Sequence, residues 1–110
     1  MEAIAAHLKE MNITFIPQYR FKGLVGVGGA LLSYDFYLPD LGILIEYQGE
    51  YHDGSVAWQT DEQLSRQREH DNRKRKFAHD NGYQFLEIWY WEYLNIQQIL
   101  QEKIHSIDAA

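Results

Sequence analysis

Charged and amide side chains interrupt the apolar run Gly42-Ile43-Leu44-Ile45-Glu46-Tyr47-Gln48. A near-continuous apolar run of this kind belongs to a central strand. Glu46 and Gln48 stand two residues apart, so on a strand both side chains leave the same face. Asp35 lies in the preceding apolar segment, again beside large hydrophobic residues. A buried carboxylate without a partner is costly, and two that converge on one spot cost more. For Glu46, an interior ion pair with an arginine, or a place capping an edge strand, is one way to relieve that cost. A divalent cation is the other, and Mg2+ (with Mn2+ able to replace it) suits this set. It prefers oxygen ligands, accepts one or two carboxylates, and takes the rest from water and substrate phosphate. An ion held in this way polarises a phosphodiester, activates water and stabilises the leaving oxygen.

His52 follows Gln48 by four residues, past the end of the expected strand. An imidazole there has the proton affinity to take a proton from an attacking water. A hydrogen-bonded surface histidine is the alternative. His7, His70, His79 and His105 show no paired ligand spacing. Further along, Leu64, Gln67, Asp71, Lys74 and Ala78 share one face of a helix by 3.6-residue periodicity. Leu64 and Ala78 turn that face toward the sheet, so Asp71 and Lys74 point inward. They read as an interior ion pair, as part of a face partly in water, or as a second carboxylate and a phosphate-binding lysine at the same site.

Net charge is −6, which by itself argues against a polyanionic partner. The distribution says more than the sum. Six of the ten basic residues (Arg66, Arg68, Arg73, Lys74, Arg75 and Lys76) fall in one eleven-residue stretch. Such a helix can meet a DNA backbone, or it can simply be a solvated charged surface. Trp89, Tyr90 and Trp91 could stack on bases, but on so β-prone a segment they are expected in the core and on a hydrophobic face.

The elements that must position these groups follow from pattern. Residues 2–11 form a short helix with Ile4, Leu8 and Met11 on one side. Residues 13–21 form a strand, and Pro17 makes it an edge strand or a bulged one. The Gly-rich stretch 22–30 is a turn rather than a phosphate cradle, because neither glycine-loop spacing is complete. Residues 31–38 and 42–48 form a hairpin through Pro39-Asp40-Leu41-Gly42, and 50–59 is a loop. Thr60 and Gln63 make a capping box for a long helix that Asn81-Gly82 ends. Residues 83–91 form a strand, and Asn95 caps a last helix burying Ile96, Ile99, Leu100 and Ile107. The order α-β-β-β-α-β-α predicts an α/β (α+β) fold, a central mixed sheet flanked by helices.

At 110 residues this is one domain. It has no cysteine, so disulfides and cysteine-bound zinc are excluded. No apolar run approaches the roughly 18 residues that span a bilayer, and no basic leader opens the chain. A cytoplasmic protein with no membrane partner is expected.

Two groups of residues carry a resemblance. The run Asp35-Phe36-Tyr37-Leu38-Pro39 with Ile45-Glu46-Tyr47-Gln48-Gly49-Glu50-Tyr51-His52 resembles the PD-(D/E)XK nuclease superfamily. Within it, the very-short-patch-repair (Vsr) branch and the EDxHD phage homing endonucleases are the most similar. His70-Asp71-Asn72-Arg73-Lys74, followed by Gly82-Tyr83-Gln84-Phe85-Leu86-Glu87-Ile88-Trp89, is similar to the same branch, as is Glu2 at the start of the first helix. The resemblance implies a restriction-endonuclease-like fold and a Mg2+-dependent endonuclease acting on double-stranded DNA in a bacterial or phage-infected cell. It implies Asp35 and Glu46 as metal ligands, with the backbone carbonyl of Tyr47. It makes His52 the general base, and Asp71 and Glu2 further acids acting through water. Asp35, Glu46 and Gln48 match the superfamily triad, with Gln48 where lysine usually stands, which leaves Lys74 or His52 to supply the positive charge. Lys74, Arg66, Arg68, Arg73 and Arg75 are left for DNA. Recognition would fall to a separate domain or a homodimer, with this chain a fragment of a longer protein. A restriction or mismatch-repair nuclease of the same fold, and a non-catalytic nucleic-acid-binding module, are the alternatives.

Overall fold

A computed structural model of the chain describes residues 2–49 and 60–108. Helix α1 (Glu2–Glu10) leads into β1 (Ile16–Val25), β2 (Leu31–Leu38) and β3 (Ile43–Gln48). Helix α2 (Asp61–Asp80) crosses to β4 (Gln84–Trp89), and a 3-10 segment (Tyr90–Asn95) leads into α3 (Ile96–Asp108). The expected order α-β-β-β-α-β-α is the observed one. The four strands form one mixed sheet in the order β1-β2-β3-β4. The first two pairings are antiparallel, and β3 pairs with β4 in parallel through the α2 crossover. The apolar run on β3 is therefore central, and Pro17, which has no N–H to donate, sits on the edge strand β1.

Alternation along β3 divides the interior in two. Ile43 and Ile45 pack with Phe36, Leu38 and Ile88 against Ile4 and Leu8 of α1 and Ile96, Leu100 and Ile104 of α3. Leu44 points the other way and packs with Leu24, Tyr34 and Ala78 of α2. Helix α2 starts on the expected capping box: the Gln63 N–H donates to Thr60 Oγ1 at 3.1 Å, and the Thr60 N–H donates to Gln63 Oε1 at 3.1 Å. It ends at Asn81, and Gly82 takes the left-handed φ of +77° that a side chain would resist.

Three boundaries depart from expectation, the first being the start of β1, at Ile16 rather than residue 13. Strand β1 runs on to Val25, so the turn shrinks to Gly26–Ala30, closed by the Gly26 N–H donating to Ala30 O at 2.8 Å. Pairing of Val25 with Leu31 outweighs the glycine at position 23. At the other end β4 stops at Trp89, whose N–H donates to the Glu92 carboxylate at 3.0 Å. That cap turns the chain into the 3-10 segment, which leaves Trp91 60% exposed rather than in the core. The expected loop 50–59 lies outside the described residues.

Candidate active site

Strands β2 and β3 pair by backbone from Leu38↔Ile43 to Phe36↔Ile45. Beyond that point carboxylates complete the pairing. The Asp35 N–H donates to Glu46 Oε1 at 3.0 Å, and the Tyr47 N–H donates to Asp35 Oδ2 at 2.8 Å. The phase of β2 changes at the same place. Strict alternation would send Tyr34 and Phe36 to one face, yet Phe36 packs toward α1 and α3 and Tyr34 toward α2. On β1, Gln18 lies opposite this break with a φ of +52°, a strained value for a non-glycine residue. Its Nε2 donates to Asp35 Oδ1 at 3.4 Å, and Ser33 Oγ donates to its Oε1 at 3.2 Å. The strands thus part at Asp35, and two carboxylates occupy the gap.

Helix α2 supplies the charge. Lys74 Nζ lies 3.3 Å from Glu46 Oε1, and both side chains are largely buried. The Tyr34 hydroxyl donates to the Lys74 carbonyl at 2.7 Å and fastens this turn of the helix over the pair. Burial, then the charge of Asp35, push the Glu46 carboxyl up to about 7 against the opposing pull of Lys74. Two carboxylates and one ammonium leave the spot short of positive charge.

Gln48 is fully buried. Its Nε2 donates to Glu87 Oε1 at 2.9 Å, and Arg75 grips the same carboxylate through Nη2 at 2.7 Å and Nε at 3.0 Å. A carboxylate can only accept, so the amide nitrogen must face Glu87 and the carbonyl oxygen must face away. That oxygen has no hydrogen-bond partner among the described residues. A buried, orphaned acceptor beside a charge-deficient carboxylate pair is the chemistry expected of a site that takes a cation or its water. Among the described residues no cage of three or more acidic or histidine side chains is gathered. Mg2+ needs none, since water and phosphate complete its shell.

Compared with solved structures, the chain superimposes on the catalytic domain of the homing endonuclease I-Bth0305I with a TM-score of 0.62, at 23% identity over 96% of this chain and 89% of that one. The chain has a nuclease-like fold. No protein-family model and no curated protein matches it.

In this nuclease-like frame the remaining expected residues are placed as follows. Asp35, Glu46, Gln48 and Lys74 gather where β2, β3 and α2 meet. Asp71 is buried on α2, one helical turn before Arg75. The Tyr47 N–H points at β2, and on a strand a residue's carbonyl shares the edge of its N–H, so the Tyr47 carbonyl faces the Asp35 side. Glu2 is exposed on α1, whose buried side chains pack on the sheet face opposite α2. His52 lies outside the described residues. Arg66 and Arg68 are exposed, whereas Arg73 is tied to Glu69 and to the Val25 carbonyl and Arg75 to Glu87. The sequence reading missed Glu87, Tyr34 and Gln18. Glu87 alone carried a signal, as the one charged residue inside a β-prone strand.

Proposed function

We propose that the chain is the catalytic domain of a Mg2+-dependent endonuclease that hydrolyses phosphodiester bonds of double-stranded DNA, of the homing-endonuclease type within the PD-(D/E)XK superfamily. The observation that carries this reading is the pairing of a half-buried Asp35 with a buried Glu46, Lys74 lying 3.3 Å from Glu46, built into the gap between β2 and β3. The fold likeness to a homing endonuclease catalytic domain supports it.

Asp35, Glu46 and the Tyr47 carbonyl are the groups that would hold the ion. A bound Mg2+ supplies Lewis acidity at the phosphate and lowers the proton affinity of a water. The chain's own residues do the rest. Lys74 sets its ammonium against Glu46 and adds positive charge where the phosphate gathers negative charge. The Gln48 oxygen, aimed by Glu87, accepts a hydrogen bond from the attacking water and orients it. His52 takes the proton as the water attacks. Asp71, buried on α2, acts more remotely, through water.

The net charge of −6 gives this chain a weak electrostatic hold on DNA. Choice of target therefore falls to a separate domain or a second copy. The deciding experiment is plasmid nicking with Mg2+ by wild type and Asp35→Ala. Wild type should convert supercoiled plasmid to open circle, and the variant should not. Equal nicking by the two ends the proposal.

A further inference from the structure

The tip of the β1–β2 hairpin exposes three apolar side chains among the described residues: Val25 at 42%, Val27 at 50% and Leu31 at 45%. The tip is nonetheless held firmly. The Val27 N–H donates to His70 Nε2 at 2.9 Å, and Arg73 Nη1 donates to the Val25 carbonyl at 3.0 Å. Gly26 packs so closely on His70 that a Cβ there would meet Nε2 at 2.8 Å. A rigid apolar tip set out in water is a recognition surface rather than a loose end.

Gly28 adds an independent observation. Its φ lies outside the left-handed region, and a Cβ would meet nothing within 4 Å among the described residues. Neither backbone conformation nor internal packing requires glycine there. What glycine offers at such a place is room for an outside group to approach the backbone.

Charge identifies the partner. Residues 11–34 contain no Asp or Glu, yet they carry Arg20 and Lys22, both exposed. These leave the face of β1 opposite Phe21, which packs on Phe77 of α2. On the other side, Arg66 is exposed one helical turn before His70. Basic groups thus flank an apolar tip on both sides, within a chain of net charge −6. Two rows of negative charge about a groove floored by base edges and thymine methyls complement that arrangement.

Resting on the nuclease reading above, we propose that the tip Gly26–Ala30, with Val25, Val27 and Leu31, enters a groove of duplex DNA beside the cleavage site. Leu31 and Asp35 lie four residues apart on β2, about 13 Å at the usual rise of a strand, so the contact falls roughly four base pairs from the phosphate being cut.

The test uses the whole chain with Gly28→Ala and Val27→Asp. Both should melt like wild type and bind Mn2+ like wild type in calorimetry, because neither site touches the core or the carboxylates. Binding to a short duplex, followed by fluorescence anisotropy with Ca2+ to prevent cleavage, should weaken about tenfold for Val27→Asp and less for Gly28→Ala. Footprinting should show protected bases near four base pairs from the nick in wild type and lose them in both variants. Wild-type nicking with unchanged affinity and footprint in the variants overturns the proposal and leaves the nuclease reading standing. Wild type that neither binds nor nicks DNA overturns both. Loss of self-association rather than DNA binding in the variants makes a second copy the occupant, and also overturns it.

Discussion

The two faces of the sheet are built on different terms. Toward α1 and α3, β3 and β4 present Ile43, Ile45 and Ile88 to a cluster that is apolar throughout. Toward α2 the same strands present Leu44 and then Glu46, Gln48 and Glu87. The buried polar side chains among the described residues, Glu46, Gln48 and Asp71, all lie on the α2 side. One face carries the stability, and the other uses some of it to hold charge where water is scarce. Truncation should therefore hurt the first face, and neutralisation should help the second.

The largest expected effect on folding is at Ile88, which is fully buried in the α1/α3 cluster. Ile88→Ala removes its methyls and leaves a cavity, at a cost of about 2–5 kcal/mol. Urea denaturation should show the midpoint fall at unchanged slope. A loss below about 1 kcal/mol would mean that this face is not the main core.

Glu46 should behave in the opposite sense. Its carboxyl is raised from 4.5 to about 7 in the folded chain, so folding binds a proton that the unfolded chain releases. The contribution is fully present below the unfolded value of 4.5 and is lost as pH rises through about 7. In chelator, the metal-free wild type should lose about 3 kcal/mol across that window. Glu46→Gln has no such proton to lose. Its melting curve should run flatter with pH and overtake wild type on the alkaline side, while nicking disappears. Parallel pH profiles for the two proteins would show that Glu46 is not strained by burial and by Asp35.

A smaller effect is expected at Glu87. In Glu87→Ala the buried Gln48 amide loses its acceptor and its fixed orientation, which costs about 1–3 kcal/mol. Mn2+ binding should weaken as well, since the Gln48 oxygen is no longer aimed. Glu87→Gln keeps an acceptor and should recover most of both losses. Unchanged Mn2+ affinity in Glu87→Ala would reduce Glu87 to a structural partner of Arg75.

These contrasts were partly legible in the sequence. The strand and helix order could be read because the apolar periods are clean and because Thr60 and Asn81 with their side chains, and Gly82 with its left-handed backbone, mark the ends of the long helix. Asp35, Glu46 and Gln48 could be read because polar groups are conspicuous in an apolar run. Lys74 was set inward by helical phase, and the structure brings it to Glu46. What was hidden depends on tertiary register. Nothing local says that Glu87 lies beside Glu46 on the neighbouring strand, or that Arg75 turns to Glu87 and Arg73 to Val25 rather than to solvent. The exposure of Trp91 was hidden as well, since the Glu92 cap overrides the β-propensity of its aromatic neighbours.

The smallest expected effect is local. His70 holds the hairpin tip by accepting from the Val27 N–H, which only a neutral imidazole can do. Burial, then Arg73, Lys74 and Arg66, lower its proton affinity in the folded chain, while Asp71 opposes them. A lowered value means the clasp is intact above the ordinary histidine value of 6.5 and is lost as pH falls through the folded value. The Val27 amide resonance should therefore shift toward that of an unbonded amide on acidification, with the melting temperature hardly affected. His70→Phe should show the shifted position at every pH. The Ile88 and Ile45 amides, on the apolar face, should ignore the same titration. A Val27 resonance that stays fixed across the histidine range would mean that the tip is held by Arg73 alone.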